Sequence, residues 1–326
     1  MKAIGYNGDE FIEFEKSVNS PKGHDLFVEV KAVAINPIDS KVKRSVLKNS
    51  ETKILGYDCA GIVQAVGDKV SLFKVGDEVY YAGDITRDGS NASHQLVDER
   101  IVALKPKTLD FAQSAALPLT SITAWESLFE RLKITQADSD KTLLLIGAAG
   151  GVGSMAIQFA KQMVGMTVIA TASRVESKAW CHELGADIVL DHQQLVEQFK
   201  QQSLSSPDYI LCMGVPDDYF AQMVELITPQ GSICLLANTR EAYDINLLKA
   251  KSITLVWEMM FTRSMFQTID MNEQHKLLTK VASLIDQNII KTILTETYHP
   301  INIDNISNAH QVIEQAKMIG KLAVTN

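Results

Sequence analysis

At 326 residues the chain is long enough for two domains with substantial cores. Hydrophobic residues make up 46% of it and charged residues 21%, a balance that excludes a disordered chain. Asp plus Glu outnumber Lys plus Arg by 39 to 31, and the formal net charge of −8 argues against general binding to nucleic acid or anionic membranes.

The opening residues, Met1-Lys2-Ala3-Ile4-Gly5-Tyr6, lack the long apolar run of a signal peptide. No later segment reaches the roughly 18 uninterrupted apolar residues of a membrane span. Cys59, Cys181, Cys212 and Cys234 lie far apart and form no Cys-x-x-Cys pair. Reduced core thiols in a cytoplasmic protein are therefore the expectation.

Residues 1 to about 120 read as short strands and turns, with no long amphipathic helix. A strand over 27–35 leads into Asn36-Pro37, and further strands fall at 61–67 and 75–80 between glycine turns. Asn36 before Pro37 is an ordinary turn pair, although its amide is also a hydrogen-bond donor. Asp39 has the place of a cap on the helix that follows.

The texture changes at Leu143-Leu144-Leu145-Ile146-Gly147-Ala148-Ala149-Gly150-Gly151-Val152-Gly153-Ser154. Four apolar residues predict a buried parallel strand, the glycines a tight turn, and the spacing from Met155 onward a helix. Strand, glycine turn and helix in this order hold a dinucleotide pyrophosphate on free backbone N–H groups at the positive helix end. Ala149, Gly150, Gly151, Val152 and Gly153 are the candidate phosphate contacts. Ala148 stands in the first glycine slot of the G-x-G-x-x-G pattern, and such a run alone also serves as a plain strand-to-helix connection. Its context narrows the reading.

A second strand is predicted over 167–171, after Gly165 as a helix C-cap. A helix near 176–184, a strand at 188–190, a helix near 193–201, a strand at 209–212, a helix at 218–227 and a strand at 232–236 follow. Repeated βα units of this length imply an α/β domain with a doubly wound parallel sheet. The apolar run 252–257 closes that sheet as an open edge, which invites pairing with a second copy. A helix over 305–317 and a short strand at 321–324 end the chain, the strand returning to the first domain.

NAD-selective sites place an acid about 20 residues beyond the glycine turn. Here the second strand ends Thr171-Ala172-Ser173-Arg174, with no acid before Glu176. Ser173, the planar guanidinium of Arg174 and the ammonium of Lys178 suit a 2′-phosphate, which points to NADPH. Arg174 and Lys178 also fit as surface charges at a helix start.

Several motifs in order resemble the medium-chain dehydrogenase/reductase superfamily over essentially the whole chain. They are Asn36-Pro37-Ile38-Asp39, Gly56-Tyr57-Asp58-Cys59-Ala60-Gly61-Ile62-Val63, Val66-Gly67, and Phe73-Lys74-Val75-Gly76-Asp77-Glu78-Val79. Ala116-Leu117-Pro118-Leu119-Thr120-Ser121-Ile122-Thr123-Ala124-Trp125 and the turn 148–153 continue the match. Trp257-Glu258-Met259-Met260-Phe261-Thr262-Arg263-Ser264-Met265 is similar to a segment of its zinc-type alcohol dehydrogenase-like subgroup, beside the quinone oxidoreductases. The resemblance implies a GroES-like β-rich catalytic domain over 1–122, a Rossmann NADP-binding domain over 123–290 and a return segment over 291–326. It also implies an active cleft between the domains, Thr123 near the nicotinamide or its ribose, and a homodimer.

Catalytic zinc in this superfamily takes Cys and His ligands and keeps one open position. By resemblance those positions carry Asn36 or Pro37, Tyr57 and Leu119 here, and residues 81–93 contain no cysteine for a structural ion. No metal is expected. Without a Lewis acid, hydride transfer suits an activated acceptor, a quinone or an α,β-unsaturated carbonyl, whose developing oxyanion needs only hydrogen-bond donors. Asn36 and Tyr57 are the candidate donors, and either Tyr57 or solvent supplies the proton. Plainer roles exist for each. Tyr57 can pack with its hydroxyl on backbone, Thr123 can cap a helix, and Met259, Met260, Phe261, Met265 and Phe266 suit a core or an interface. A zinc-dependent alcohol dehydrogenase and a non-catalytic NADPH-binding protein are the competing functional classes.

Overall fold

The ten-residue strand Asp25–Ala34 alternates half-buried and buried residues along most of its length, and that period of two makes it the spine of a sheet. In the computed structural model, which describes residues 1–48 and 51–326, it pairs antiparallel with Asp58–Val66, His94–Asp98 and Lys321–Thr325. The sheet runs in the order Leu294–Tyr298, Lys321–Thr325, Asp25–Ala34, Asp58–Val66, Glu78–Tyr81, Val102–Leu104. Lys2–Tyr6 pairs separately with Phe11–Glu15 and Lys53–Ile54. Leu26, Val28, Val63, Val79, Leu322 and Val324 meet in one core. The C-terminal strand returns as its sequence predicts, with Ala323 opposite Ala34.

The chain divides into two units, Met1–Ile122 with Met260–Asn326, and Thr123–Met259. The second boundary departs from the expected one at 290, because residues 260–290 pack with the β-rich unit. The helix Glu273–Asp286 carries the reason. Tyr80 donates its hydroxyl to Leu278 O (2.6 Å), the His275 ring bonds Val102 O (2.7 Å), and the Asp286 carboxylate accepts from Thr108 N (3.0 Å).

In the Thr123–Met259 unit six parallel strands lie in the order Ile188–Leu190, Thr167–Thr171, Thr142–Ile146, Tyr209–Cys212, Ser232–Leu235, Thr254–Trp257. By appearance that is third, second, first, fourth, fifth, sixth, the doubly wound Rossmann order. Leu143, Leu144, Leu145, Ile210 and Leu211 are all buried, as strands covered on both faces require. The order reverses beside Thr142–Ile146, so the crevice for a ligand opens at its C-terminal end. Among the described residues, no helix is long and apolar enough to cross a membrane.

One buried residue ties stability to pH. His310, on the helix Ile303–Glu314, is fully buried with its ring 4.9 Å from that of Phe11 and no partner on either nitrogen. Burial, with Lys43 nearby, pushes its pKa from the ordinary 6.5 down to about 4, against a smaller opposing pull from Glu314. The unfolded chain binds the proton first, so stability is lost as pH falls from about 6.5 toward about 4. That loss amounts to about 3 kcal/mol at most. Urea titrations of the protein and of His310→Phe at pH 7 and pH 5 isolate this contribution from that of other buried groups: stability relative to the variant should fall between the two pH values. The same difference from the variant at both pH values would place the acid lability elsewhere.

Candidate active site

The glycine turn forms a cradle whose parts constrain one another. Gly147 N donates to Thr171 Oγ1 (2.9 Å) and Ala148 N to Thr171 O (3.1 Å), which fastens the turn to the end of the second strand. The helix Gly151–Phe159 begins at Gly150, and its first internal bond runs from Ser154 N to Gly150 O (2.9 Å). The amides of Gly151, Val152 and Gly153 therefore precede the intrahelical ladder and are available to an anion. A Cβ on Gly153 would stand 2.2 Å from Ala148 O, so only glycine lets the helix start this close to the turn. A Cβ on Gly150 would meet nothing within 4 Å, which leaves that side of the loop open. Ala148, in the first glycine slot, is buried, and Ala149 is half-buried.

Ser173 and Arg174 follow the second strand and are exposed, and Lys178 is half-buried on the helix Val175–Glu183. Thr171 thus brings the turn 148–153 and the Ser173-Arg174 pair to one end of the sheet. These residues fit a dinucleotide: open amides at a helix start, with an exposed serine and arginine after the neighbouring strand. Thr123 lies on the helix Pro118–Trp125 and is 7% exposed.

The β-rich unit holds a second constellation, in which both Asn36 and Tyr57 are buried. Asn36 N donates to Asp39 Oδ2 (2.8 Å), and Asp39 Oδ1 accepts from Gly56 N (3.0 Å). Asp39 therefore caps its helix, as its position suggests, and also pins the next segment. Gly56 has φ +99°, a left-handed value that favours glycine, and the Asn91 and Ser90 side chains fill the space a Cβ would need. Asn36 Nδ2 donates to Asp58 Oδ2 (2.8 Å), while Lys321 Nζ donates to Asn36 Oδ1 (2.6 Å), Asp58 Oδ2 (3.0 Å) and Ile35 O (3.1 Å). Asp58 Oδ1 accepts from Leu119 N (2.7 Å).

In the structure the strong donor contact of the Asn36 amide goes to Asp58. Tyr57 differs. Its hydroxyl is buried without any hydrogen-bond partner, and its ring meets Phe261 edge-on at 5.5 Å. Burial, then the negative charges of Asp39, Asp84 and Asp88, holds its pKa well above the ordinary 10. The group is a neutral donor throughout the physiological range. Burial also lifts the Asp39 carboxyl to about 7 and the Cys59 thiol to about 12.

The donor set does not suit zinc: Leu119 has no ligating side-chain atom, and the Asn36 amide is committed to Asp58 and Lys321. Among the described residues no group of three His, Cys, Asp or Glu could hold a metal ion.

Sequence reasoning gave no role to Asp58 or Lys321. A lysine opening the apolar run Lys321-Leu322-Ala323-Val324 was the available signal, because a charge in a core strand needs a buried partner. It also missed a carboxyl pair in the other unit, Glu126 and Glu258, both buried, with Arg131 Nε 2.7 Å from Glu258 Oε2. Burial and the neighbouring Glu126 raise the Glu258 pKa. The Met and Phe run divides between settings: Met260 and Phe261 are buried, whereas Met259, Met265 and Phe266 are exposed.

Residues 22–106 match the alcohol dehydrogenase GroES-like domain, and residues 151–278 match the zinc-binding dehydrogenase domain. A zinc-type alcohol dehydrogenase-like protein of Staphylococcus aureus is 41% identical over 335 aligned residues, covering 99% of each chain. A solved structure from Rhizobium etli, described provisionally as a zinc-dependent alcohol dehydrogenase, superposes with a TM-score of 0.94 at 46% identity. That superposition covers 100% of this chain and 98% of that one. The chloroplastic NADPH-dependent alkenal/one oxidoreductase of Arabidopsis thaliana is 36% identical over 200 residues, 57% of this chain and 50% of that protein. Similarity sustained across both units places this chain in the medium-chain dehydrogenase/reductase superfamily, among the zinc-type alcohol dehydrogenase-like proteins, as an oxidoreductase of that family.

Proposed function

We propose that the protein is a zinc-independent, NADPH-dependent reductase of quinones or α,β-unsaturated carbonyls. The observation that carries this reading is the buried Tyr57 hydroxyl, an unpartnered donor at a position where metal-dependent members of the superfamily hold a ligand. An orphaned buried hydroxyl costs about 1–3 kcal/mol, and it is tolerated where a ligand completes it.

When bound, NADPH supplies a hydride. The amides of Gly151, Val152 and Gly153 hold its pyrophosphate with the adjoining Ala149-Gly150 turn, Ser173, Arg174 and Lys178 take its 2′-phosphate, and Thr123 contacts its nicotinamide half. Tyr57 donates to the acceptor oxygen as negative charge develops there, and Asn36 acts through the segment it secures. The alkenal/one reductase likeness supports this substrate class, as does a donor set without a Lewis acid.

NADPH oxidation measured against a naphthoquinone, a short-chain enone and a simple aldehyde, each with and without a chelator, tests the proposal. Turnover of the first two, indifferent to chelation, is the expected result. Activity confined to alcohols or aldehydes and lost on chelation would overturn it.

The strand Thr254–Trp257 lies at one end of the sheet order with Trp257 exposed, which supports a homodimer joined through this edge. Light scattering at micromolar concentration should give twice the 36.0 kDa chain mass, and a monomer would contradict it.

A further inference from the structure

Every donor hydrogen of Lys321 has an acceptor inside the protein: Ile35 O, Asn36 Oδ1 and Asp58 Oδ2. The side chain is 4% exposed and that of Asp58 fully buried, so this is a desolvated ion pair made by residues far apart in sequence. Asn36 closes the triangle by donating to Asp58 Oδ2, and Leu119 N takes the other carboxylate oxygen. One carboxylate therefore joins the helix start at Asn36, the segment 56–58, the helix Pro118–Trp125 and the C-terminal strand. Tyr57 stands inside this clamp. Before it, Gly56 is held by Asp39 through its N–H and by Ser90 through its carbonyl; after it, Asp58 is held by three donors.

We propose that the Lys321–Asp58 ion pair is the positioning device for the Tyr57 hydroxyl, so that a buried ammonium performs the cross-linking that a bound metal ion would provide. The inference rests on the reading of Tyr57 as the donor to substrate. Neither Lys321 nor Asp58 touches the substrate in this scheme. The Lys321 ammonium offsets the charge of the buried Asp58 beside Asp39, and its place there disfavours a divalent cation. A metal ion at this place would have to displace an ammonium already satisfied on all three hydrogens.

A double-mutant cycle separates positioning from simple stabilisation. Lys321→Gln keeps a donor and removes the charge; Tyr57→Phe removes the hydroxyl. With NADPH and a naphthoquinone or short-chain enone, Lys321→Gln should lower kcat about 10-fold or more while NADPH affinity, read by cofactor fluorescence, stays within about 2-fold. In the Tyr57→Phe background the same substitution should change kcat by less than about 2-fold, because nothing remains to be positioned. Full additivity of the two losses, or unchanged kcat in Lys321→Gln, would overturn the inference and leave the Tyr57 reading intact. Full activity in Tyr57→Phe alone would overturn the reading beneath it. Should Lys321→Gln fail to fold, Asp58→Asn, near-isosteric and uncharged, carries the same cycle. Loss of folding in both variants would make the pair a structural element only and refute its positioning role.

Discussion

Tyr57→Phe is expected to lower kcat by about 10- to 1000-fold, the range for removing one oxyanion or proton donor from an enclosed site. The same substitution should leave the fold intact or stabilise it. Its hydroxyl has no partner to lose, and the ring that remains keeps its edge contact with Phe261 at 5.5 Å. Activity falling while thermal stability holds or rises is a combination that a purely packing role for Tyr57 does not produce. NADPH affinity should hardly move. Because burial and nearby carboxylates hold the phenol pKa well above 10, its titration should add no limb to the kcat profile between pH 6 and 9. Steady-state kinetics beside a thermal melt checks both halves, and unchanged kcat would remove the hydroxyl from the mechanism.

Arg174→Ala should weaken NADPH binding by about 10- to 150-fold, equivalent to about 1.5–3 kcal/mol for one charge-assisted contact to phosphate. NADH affinity should remain near its starting value, since it lacks the phosphate. Arg174 sits where the second sheet strand has ended and the helix Val175–Glu183 begins, next to exposed Ser173. Calorimetric or fluorescence titration with both cofactors measures the preference directly. Equal affinities in the unmodified protein would show that the missing carboxylate before Glu176 does not select NADPH. Lys178→Ala should have a smaller effect, because an ammonium cannot make the paired contact of a guanidinium.

The nucleotide-binding unit was legible because its signals are local. Leu143 to Ile146 form an unbroken apolar strand, the glycines follow within four residues, and each later helix and strand is announced by its own periodicity. Predicted strands at 188–190 and 209–212 match Ile188–Leu190 and Tyr209–Cys212. The run 252–257 was read too long: Ile245–Lys251 is a 3-10 helix that Ser252 ends in the left-handed region, and the strand begins at Thr254.

By itself, then, the amino-acid order determined the family, the two architectures and the residue types at each candidate site. Tertiary structure alone decided which of those residues are already spent. Asn36 and Tyr57 look alike on paper as buried-site donors, but the partner that consumes the Asn36 amide lies 22 positions away and the lysine behind it 285. No periodicity encodes such a pairing, because it depends on a C-terminal strand crossing back to the chain's first long strand. The allegiance of residues 260–290 was hidden for the same reason. Their helix is amphipathic by sequence, and an apolar face does not name its partner until Tyr80 and Val102 are brought against it.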